Sequence, residues 1–116
     1  MSLHDVSNAA IHDIVAPMFQ NIIRSSNNNN YHTFSRDFSD ELLSRLTQEN
    51  FETQRATKPH LTGISEEIEF IDCIRRDCGI TAVYRLINTI LPSEFLGVIT
   101  LEDKANTIHV TAVLIH

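Results

Sequence analysis

The second half of the chain contains four strand-like segments separated by short turns, and this pattern limits the possible folds more than any other feature. The segments span residues 66–77, 79–91, 94–103 and 107–116, and each is rich in Ile, Val, Thr, Phe or Tyr. Each break carries turn residues: Asp77-Cys78-Gly79, Pro92-Ser93 and Asp103-Lys104-Ala105-Asn106. Because connections this short join antiparallel neighbours, the sequence predicts a four-stranded antiparallel meander.

Side chains alternate between the two faces of a strand, so a register carried through the turns assigns each residue to a face. A register that pairs Asp72 with Tyr84 and Leu86 with Ile99 gathers apolar residues on one face, which we expect to be the core face. Its apolar members are Ile68, Phe70, Ile74, Ala82, Leu86, Ile90, Phe95, Ile99, Leu101, Ile108, Val110 and Leu114. Its polar members are Asp72, Arg76, Tyr84 and Asn88.

The opposite face mixes charged and apolar residues. Its apolar members gather on the later strands: Val83, Ile87, Leu91, Leu96, Val98, Val113 and Ile115. A half-apolar face is typical of a second buried surface. We therefore predict a homodimer that forms through the outer face of the sheet.

The first half of the chain shows helical spacing. Apolar residues recur every three or four positions over residues 2–24, although Pro17 should kink or restart this helix. Serine and asparagine fill residues 25–30, which predicts a flexible surface loop. Ser39 is a candidate N-cap in a second helical region, and Thr47 is a candidate N-cap for a short third helix. Helices followed by strands predict a segregated α+β fold.

Length and charge limit the classes of function. The 116 residues are enough for one α+β domain, with residues 1–60 as helical cover and residues 61–116 as the meander. A formal net charge of −6 argues against nucleic acid or an anionic membrane surface as the main partner. The chain contains no run of 18 apolar residues and no visible signal peptide, so we expect no membrane span and a cytoplasmic location.

Cysteine and histidine spacing predicts neither a metal site nor a cofactor. Cys73 and Cys78 lie five positions apart around the first turn, and the register does not pair them, so free thiols are expected. The histidines are scattered and form no ligand motif. The three glycines are isolated, so the sequence contains no glycine-rich phosphate loop.

The helical and strand motifs together resemble the nuclear transport factor two-like domains, which belong to the cystatin-like cone folds. The motifs that carry the resemblance are Tyr31-x-x-Phe34-x-x-x-Phe38, Ser39-Asp40-Glu41-Leu42, Leu46-Thr47-x-Glu49-x-Phe51 and Phe95-x-Gly97-x-Ile99-x-Leu101. The resemblance covers most of the chain. It implies a curved sheet that forms a cone around the first helix, a cavity at the open end and dimers formed through the sheet. The superfamily includes enzymes and non-catalytic subunits, so it implies a fold rather than a function.

Catalytic members of that superfamily usually carry an Asp, His or Tyr on the cavity wall, and here Asp72 and Tyr84 match this description. A buried Asp72 could act as a general base with Tyr84 as a hydrogen-bond donor to developing charge. The alternative is a satisfied buried pair in which Arg76 neutralises Asp72.

Three functions follow from these alternatives. The first is a non-catalytic ligand-binding or protein-interaction module that homodimerises, with a small molecule contacting Asp72, Tyr84, Asn88, Arg76 and Phe70. The second is a small-molecule lyase or isomerase that uses the pair of Asp72 and Tyr84. The third is a structural dimerisation domain whose cavity is filled by its own side chains.

Overall fold

The computed structural model describes residues 3–77 and 79–116, apart from the side chain of His4. Four α-helices precede four β-strands, and short 3-10 turns lie at Leu3–Asp5 and Pro59–Thr62. The helices are α1 (Asn8–Asn27), α2 (Tyr31–Phe34), α3 (Asp40–Arg45) and α4 (Gln48–Thr57). The strands are β1 (Glu69–Arg75), β2 (Gly79–Ile87), β3 (Glu94–Lys104) and β4 (Thr107–Ile115).

The predicted α+β class and the antiparallel meander are confirmed. The strands form one sheet in the order β1-β2-β3-β4, and each strand pairs antiparallel with the next along the chain. The hydrophobic core lies between the helices and one face of this sheet, which we call the inner face. None of the described helices is long and apolar enough to cross a bilayer.

Helix α1 supplies the largest part of the cover over the inner face. Its buried stripe includes Ile11, Val15 and Phe19, which follow one another at intervals of four residues. The helix begins at Asn8 because the Ser7 side chain accepts a hydrogen bond from the backbone N–H of Ala10. The expected restart at Pro17 does not occur, since one helix runs through this exposed residue.

The expected serine- and asparagine-rich loop is shorter than predicted, because α1 continues to Asn27 and buries Ser25 and Ser26. The hydroxyl of Ser26 donates to the backbone carbonyl of Leu61 at 2.9 Å. The hydroxyls of Ser25 and Thr33 lie 2.7 Å apart. These polar side chains are buried because each has a hydrogen-bond partner on a neighbouring segment.

The predicted N-caps of the shorter helices are confirmed. Ser39 accepts a hydrogen bond from the backbone N–H of Leu42 at the start of α3. Thr47 and Asn50 form a capping box at the start of α4. Aromatic rings pack α2 against α4, with the centroids of Phe34 and Phe51 only 4.6 Å apart.

The strand pairing differs from the predicted register at all three hairpins. In the first hairpin, Tyr84 pairs with Phe70 and not with Asp72, because a bulge separates Phe70 from Asp72. In the second hairpin, Ile99 pairs with Ala82 instead of Leu86. That shift is an even number of residues, so it leaves the face of every β3 side chain as predicted.

In the last hairpin a bulge changes the faces of the end of β4: Thr100 pairs with Ala112 and Leu101 with Val110, so Thr111 is the extra residue. Val113 pairs with Ile99 and packs against the core, although the predicted register placed Val113 on the outer face. Leu114, predicted on the core face, is 56% exposed. Ile74, predicted on the core face, is exposed because the β1 bulge reverses its orientation, and Ile90 is exposed because β2 ends at Ile87.

Gly97 shows how closely α1 approaches the sheet. It lies on the inner face of β3, opposite Tyr84. A Cβ atom at this position would lie 2.8 Å from Cζ of Phe19 and 2.8 Å from Cδ1 of Leu86. Because glycine has no side chain, the ring of Phe19 can lie directly against the strand.

Candidate functional site

The structure brings together only two of the five residues predicted to contact a ligand. Phe70 and Tyr84 are paired across β1 and β2, and their rings meet edge to face with centroids 5.5 Å apart. Tyr84 is fully buried, whereas Asp72 is exposed and pairs with Val83. The predicted facing pair of Asp72 and Tyr84 is therefore absent from this sheet.

Asp72 is held at the edge of the sheet by local contacts. One of its carboxylate oxygens accepts a hydrogen bond from the backbone N–H of Cys73 at 2.8 Å. The side-chain amide of Asn8, in the first turn of α1, lies 3.4 Å from the same oxygen. This carboxylate is exposed at the edge of the sheet and does not lie in a buried cavity.

Asn88 directly follows β2, whereas Arg76 directly follows β1 in the turn at the other end of β2, and the two have separate contacts. Asn88 is buried, and its amide nitrogen donates to the backbone carbonyl of His60 at 2.9 Å. Its side-chain oxygen accepts from the backbone N–H groups of Ile90 and Leu91 at 2.7 and 2.8 Å. Arg76 is exposed, and its Nε donates to the Thr81 hydroxyl at 2.8 Å. Asn88 thus organises the end of the strand.

The partner of the Tyr84 hydroxyl is His12 on α1, a residue that the sequence analysis did not select. Nδ1 of His12 lies 2.8 Å from the hydroxyl oxygen. The His12 ring also packs against Phe70, with centroids 5.5 Å apart. One pattern could have identified it: His12 lies three and seven positions before Val15 and Phe19, on the face of α1 that contacts the sheet.

The surroundings of Tyr84 favour its neutral form. Burial raises the pKa of its phenol, and the nearby Cys73 raises it further. Phe19 packs edge to face against the ring, with centroids 5.4 Å apart. Tyr84 can therefore act as a neutral hydrogen-bonding group in the core, and His12 already occupies its hydroxyl.

Polar contacts next to this cluster join the start of α1 to β1. A terminal nitrogen of Arg75 donates to the backbone carbonyl of Val6 at 2.8 Å and to the side-chain oxygen of Asn8 at 2.9 Å. The Cys73 thiol lies 3.3 Å from the same oxygen. Cys73 forms no disulfide within the described residues, and Cys78, the other cysteine of the prediction, lies outside them.

The outer face of the sheet carries a row of apolar side chains that no described element covers. Val83, Val98 and Leu114 lie side by side across β2, β3 and β4. Leu96 and Ile87 extend this row and are 39% and 49% exposed. These five residues are named the outer apolar patch.

Polar groups lie beside the outer apolar patch and within it. The hydroxyls of Thr81 and Thr100 lie 2.9 Å apart on neighbouring strands at one end of the patch. Arg85 lies on β2 within the patch, opposite Leu96, and forms an ion pair with Glu69 of β1 at 3.3 Å. The outer face therefore combines apolar side chains with a few polar and charged ones, as protein–protein interfaces do.

A separate cavity lies at the other end of the core, where α1 and α4 meet the end of β4. Its volume is about 130 Å³, and side chains such as Phe34, Phe51 and Val113 line it. None of the five predicted ligand contacts lines this cavity.

Within the described residues, no three His, Cys, Asp or Glu side chains lie together where they could hold a metal ion. Comparison with known proteins does not identify a relative, since no family model and no curated protein matches the chain.

Proposed function

We propose that this chain is a non-catalytic protein-interaction module that forms a homodimer through the outer face of its sheet. The observation that carries the proposal is the outer apolar patch. Leu114, Ile87 and Leu96 are between 39% and 56% exposed on a surface where apolar side chains gain free energy from burial.

The dimensions of the outer face suit a dimer. The sheet has four strands about 4.8 Å apart, so it is roughly 19 Å wide. A strand of nine residues that rise about 3.3 Å each is roughly 30 Å long, so the flat area of the face is about 570 Å². Side-chain relief increases the accessible area of such a surface. A standard stable interface buries about 800 Å² per partner, so a dimer of that size would use the whole outer face and not the apolar patch alone.

The charges of the outer face favour a second copy as the occupant. Arg85 lies within the patch, and the acidic residues Glu69, Asp72 and Glu94 lie around it on the same face. A twofold axis through the patch can place Arg85 of one copy near an acidic residue of the other.

The resemblance to nuclear transport factor two-like domains supports the same proposal. The helices precede an antiparallel sheet and cover one of its faces, which agrees with the fold that the resemblance implies. We propose that the sheet curls around α1 as in those cone-shaped domains, and that the dimer forms through the sheet as it commonly does among them.

The geometry favours this function over a lyase or isomerase. The catalytic hypothesis needs Asp72 and Tyr84 to face one another beside an open cavity. In the structure Asp72 is solvated, and His12 engages the Tyr84 hydroxyl within a packed aromatic cluster.

Replacing one residue in the patch tests the proposal. We expect the wild-type protein to sediment as a dimer and Val98→Glu to sediment as a monomer, because the new carboxylate would be buried without a partner. Leu43→Glu is the matched control, since Leu43 is 37% exposed on α3 and lies outside the patch. Analytical ultracentrifugation over a range of concentrations measures both variants.

Two results would contradict the proposal. A wild-type protein that stays monomeric at about 100 μM, well above the dissociation constant of a stable dimer, would remove the interface. A dimer that withstands both Val98→Glu and Leu114→Glu would place the interface on another surface.

A further inference from the structure

The cavity at the α4 end of the core has an apolar interior. Ile22 of α1, Phe51 of α4 and Leu61 approach it from the helical side, and Val113 and Ile115 close it from β4. Its volume of about 130 Å³ is close to that of an engineered apolar cavity of about 150 Å³ that binds benzene. The space therefore fits one aromatic ring or a short aliphatic chain.

Two cationic side chains stand on the same side of this cavity. Arg55 and Lys58 line it from the last turn of α4 and the residue that follows. Among the described residues, neither forms an ion pair with a carboxylate, which is also true of Arg45, Arg75 and Arg76, but only Arg55 and Lys58 line this cavity. In a chain with a net charge of −6, two cations without anions beside an apolar cavity favour an anionic ligand.

The guanidinium of Arg55 is held in place while part of it stays available. Its Nε donates to the backbone carbonyl of Ser26 at 2.8 Å, and its Cζ lies 5.9 Å from the centre of the Phe51 ring. No hydrogen bond within the described part of the chain uses its two terminal nitrogens. A fixed guanidinium with free terminal N–H groups is well suited to a carboxylate.

From this geometry we infer that the cavity binds a small carboxylic acid whose apolar body is about the size of one ring. The apolar body occupies the space between Phe51 and Val113, and the carboxylate meets Arg55 and Lys58. Phe34 and Phe51 favour an aromatic body, because their rings can contact a third ring edge to face. This inference goes beyond the proposed dimer and does not depend on it.

Benzoate is the probe, and benzyl alcohol is its neutral match. We expect benzoate to bind saturably, with amide shifts in two-dimensional NMR spectra centred on α4 and the end of β4. Benzyl alcohol should bind about fivefold more weakly, because it lacks the charge that meets the cations. Equal affinity for both probes, or the absence of saturable shifts with benzoate, would overturn the inference.

Variants separate the charged and apolar parts of the site. Arg55→Gln should weaken benzoate about fivefold and leave benzyl alcohol unchanged, whereas Arg45→Gln, on α3 outside the cavity, should change neither. Val113→Phe should fill the cavity and abolish binding of both probes. Leu61→Phe has the same purpose if Val113→Phe does not fold. Benzoate binding that is unaffected by Arg55→Gln and by a filled cavity would contradict the site.

The same titration in Val98→Glu separates this inference from the proposed dimer. Monomers that still bind benzoate would support the cavity, whatever the wild-type oligomeric state. Loss of benzoate binding in a folded Val98→Glu monomer would contradict the claim that the cavity does not depend on the dimer.

Discussion

The two faces of the sheet differ sharply although their residues alternate along the same strands. On β3, Ile99 is fully buried beneath the helices, while its neighbour Val98 lies on the outer face beside Leu114, which is 56% exposed. Ile99 and Val98 are both β-branched and suit a strand equally well. What differs is the cover, since α1 lies on one face and no described element lies on the other.

This difference shows that apolar content does not by itself mark the core of such a sheet. The inner face excludes water through close packing of Phe19 against Gly97 and Tyr84. The outer apolar patch has comparable residue types without such packing. On the proposed dimer, changes on the inner face should affect folding and changes on the outer face should affect assembly.

The neighbouring pair on β3 tests this division most strongly. Ile99→Ala should lower the free energy of unfolding by about 3 kcal/mol, because it leaves a cavity in a packed core. Val98→Ala, measured in urea at low protein concentration, should lower it by less than about 1 kcal/mol. Similar losses from both variants would mean that the outer face is as tightly packed as the inner one.

Gly97→Ala probes the closest approach of helix to sheet. The added methyl group would come within 2.8 Å of Phe19 and of Leu86, both fully buried. We expect the free energy of unfolding to fall by about 2 kcal/mol, since neither side chain has space to move. Thermal unfolding measures the loss, and Ala112→Gly on the outer face is a control for the intrinsic preference of the strand. A loss no greater than in the control would show that the inner face can rearrange.

The sequence predicted the order of elements better than the pairing of strands. Turn residues and apolar runs locate all four strands, and Ser39 and Thr47 begin their helices as expected. Strand register is less determined by local sequence, because a bulge adds one residue without a distinctive signature. The bulges at Ile71 of β1 and Thr111 of β4 therefore reversed the predicted faces of Ile74 and Leu114.

The candidate site was harder to predict than the fold because it depends on contacts between distant segments. Asp72 was matched with Tyr84 through a register that the first bulge breaks. The true partner, His12, is 72 residues away on α1, and only its helical spacing relative to Phe19 indicates it. The cavity beside Arg55 is formed by helices and by the end of β4, so alternation along strands could not locate it.

Tyr84→Phe tests the polar contact within the inner face. At pH 8 we expect a loss of about 1 kcal/mol, because the bond to His12 is removed. Burial raises the pKa of Tyr84, so in the unfolded chain the phenol ionises first, near pH 10. The stabilisation from this group is complete below that pH and declines as the pH rises further, since the unfolded state then binds fewer protons.

The difference in free energy of unfolding between wild type and Tyr84→Phe should therefore shrink above about pH 10. There the wild type loses the stabilisation from the Tyr84 phenol, and the variant has no such group to lose. Urea unfolding between pH 8 and pH 11 measures it. Parallel stability profiles over that interval would show that the Tyr84 phenol is accessible to solvent, contrary to the packing of the inner face.

The smallest effect is expected at the ion pair on the outer face. Arg85 and Glu69 lie 3.3 Å apart with 52% and 63% of their side chains exposed, so water weakens their attraction. Arg85→Gln should cost the single protomer no more than about 0.5 kcal/mol, and the cost should vanish in 1 M salt. Urea unfolding at two salt concentrations, in the Val98→Glu background, measures it.

A loss above about 1.5 kcal/mol that persists in salt would mean that this pair is already shielded from water in the monomer, because only a desolvated pair interacts so strongly. In that event part of the outer face would have a cover of its own, and the contrast between the two faces would weaken.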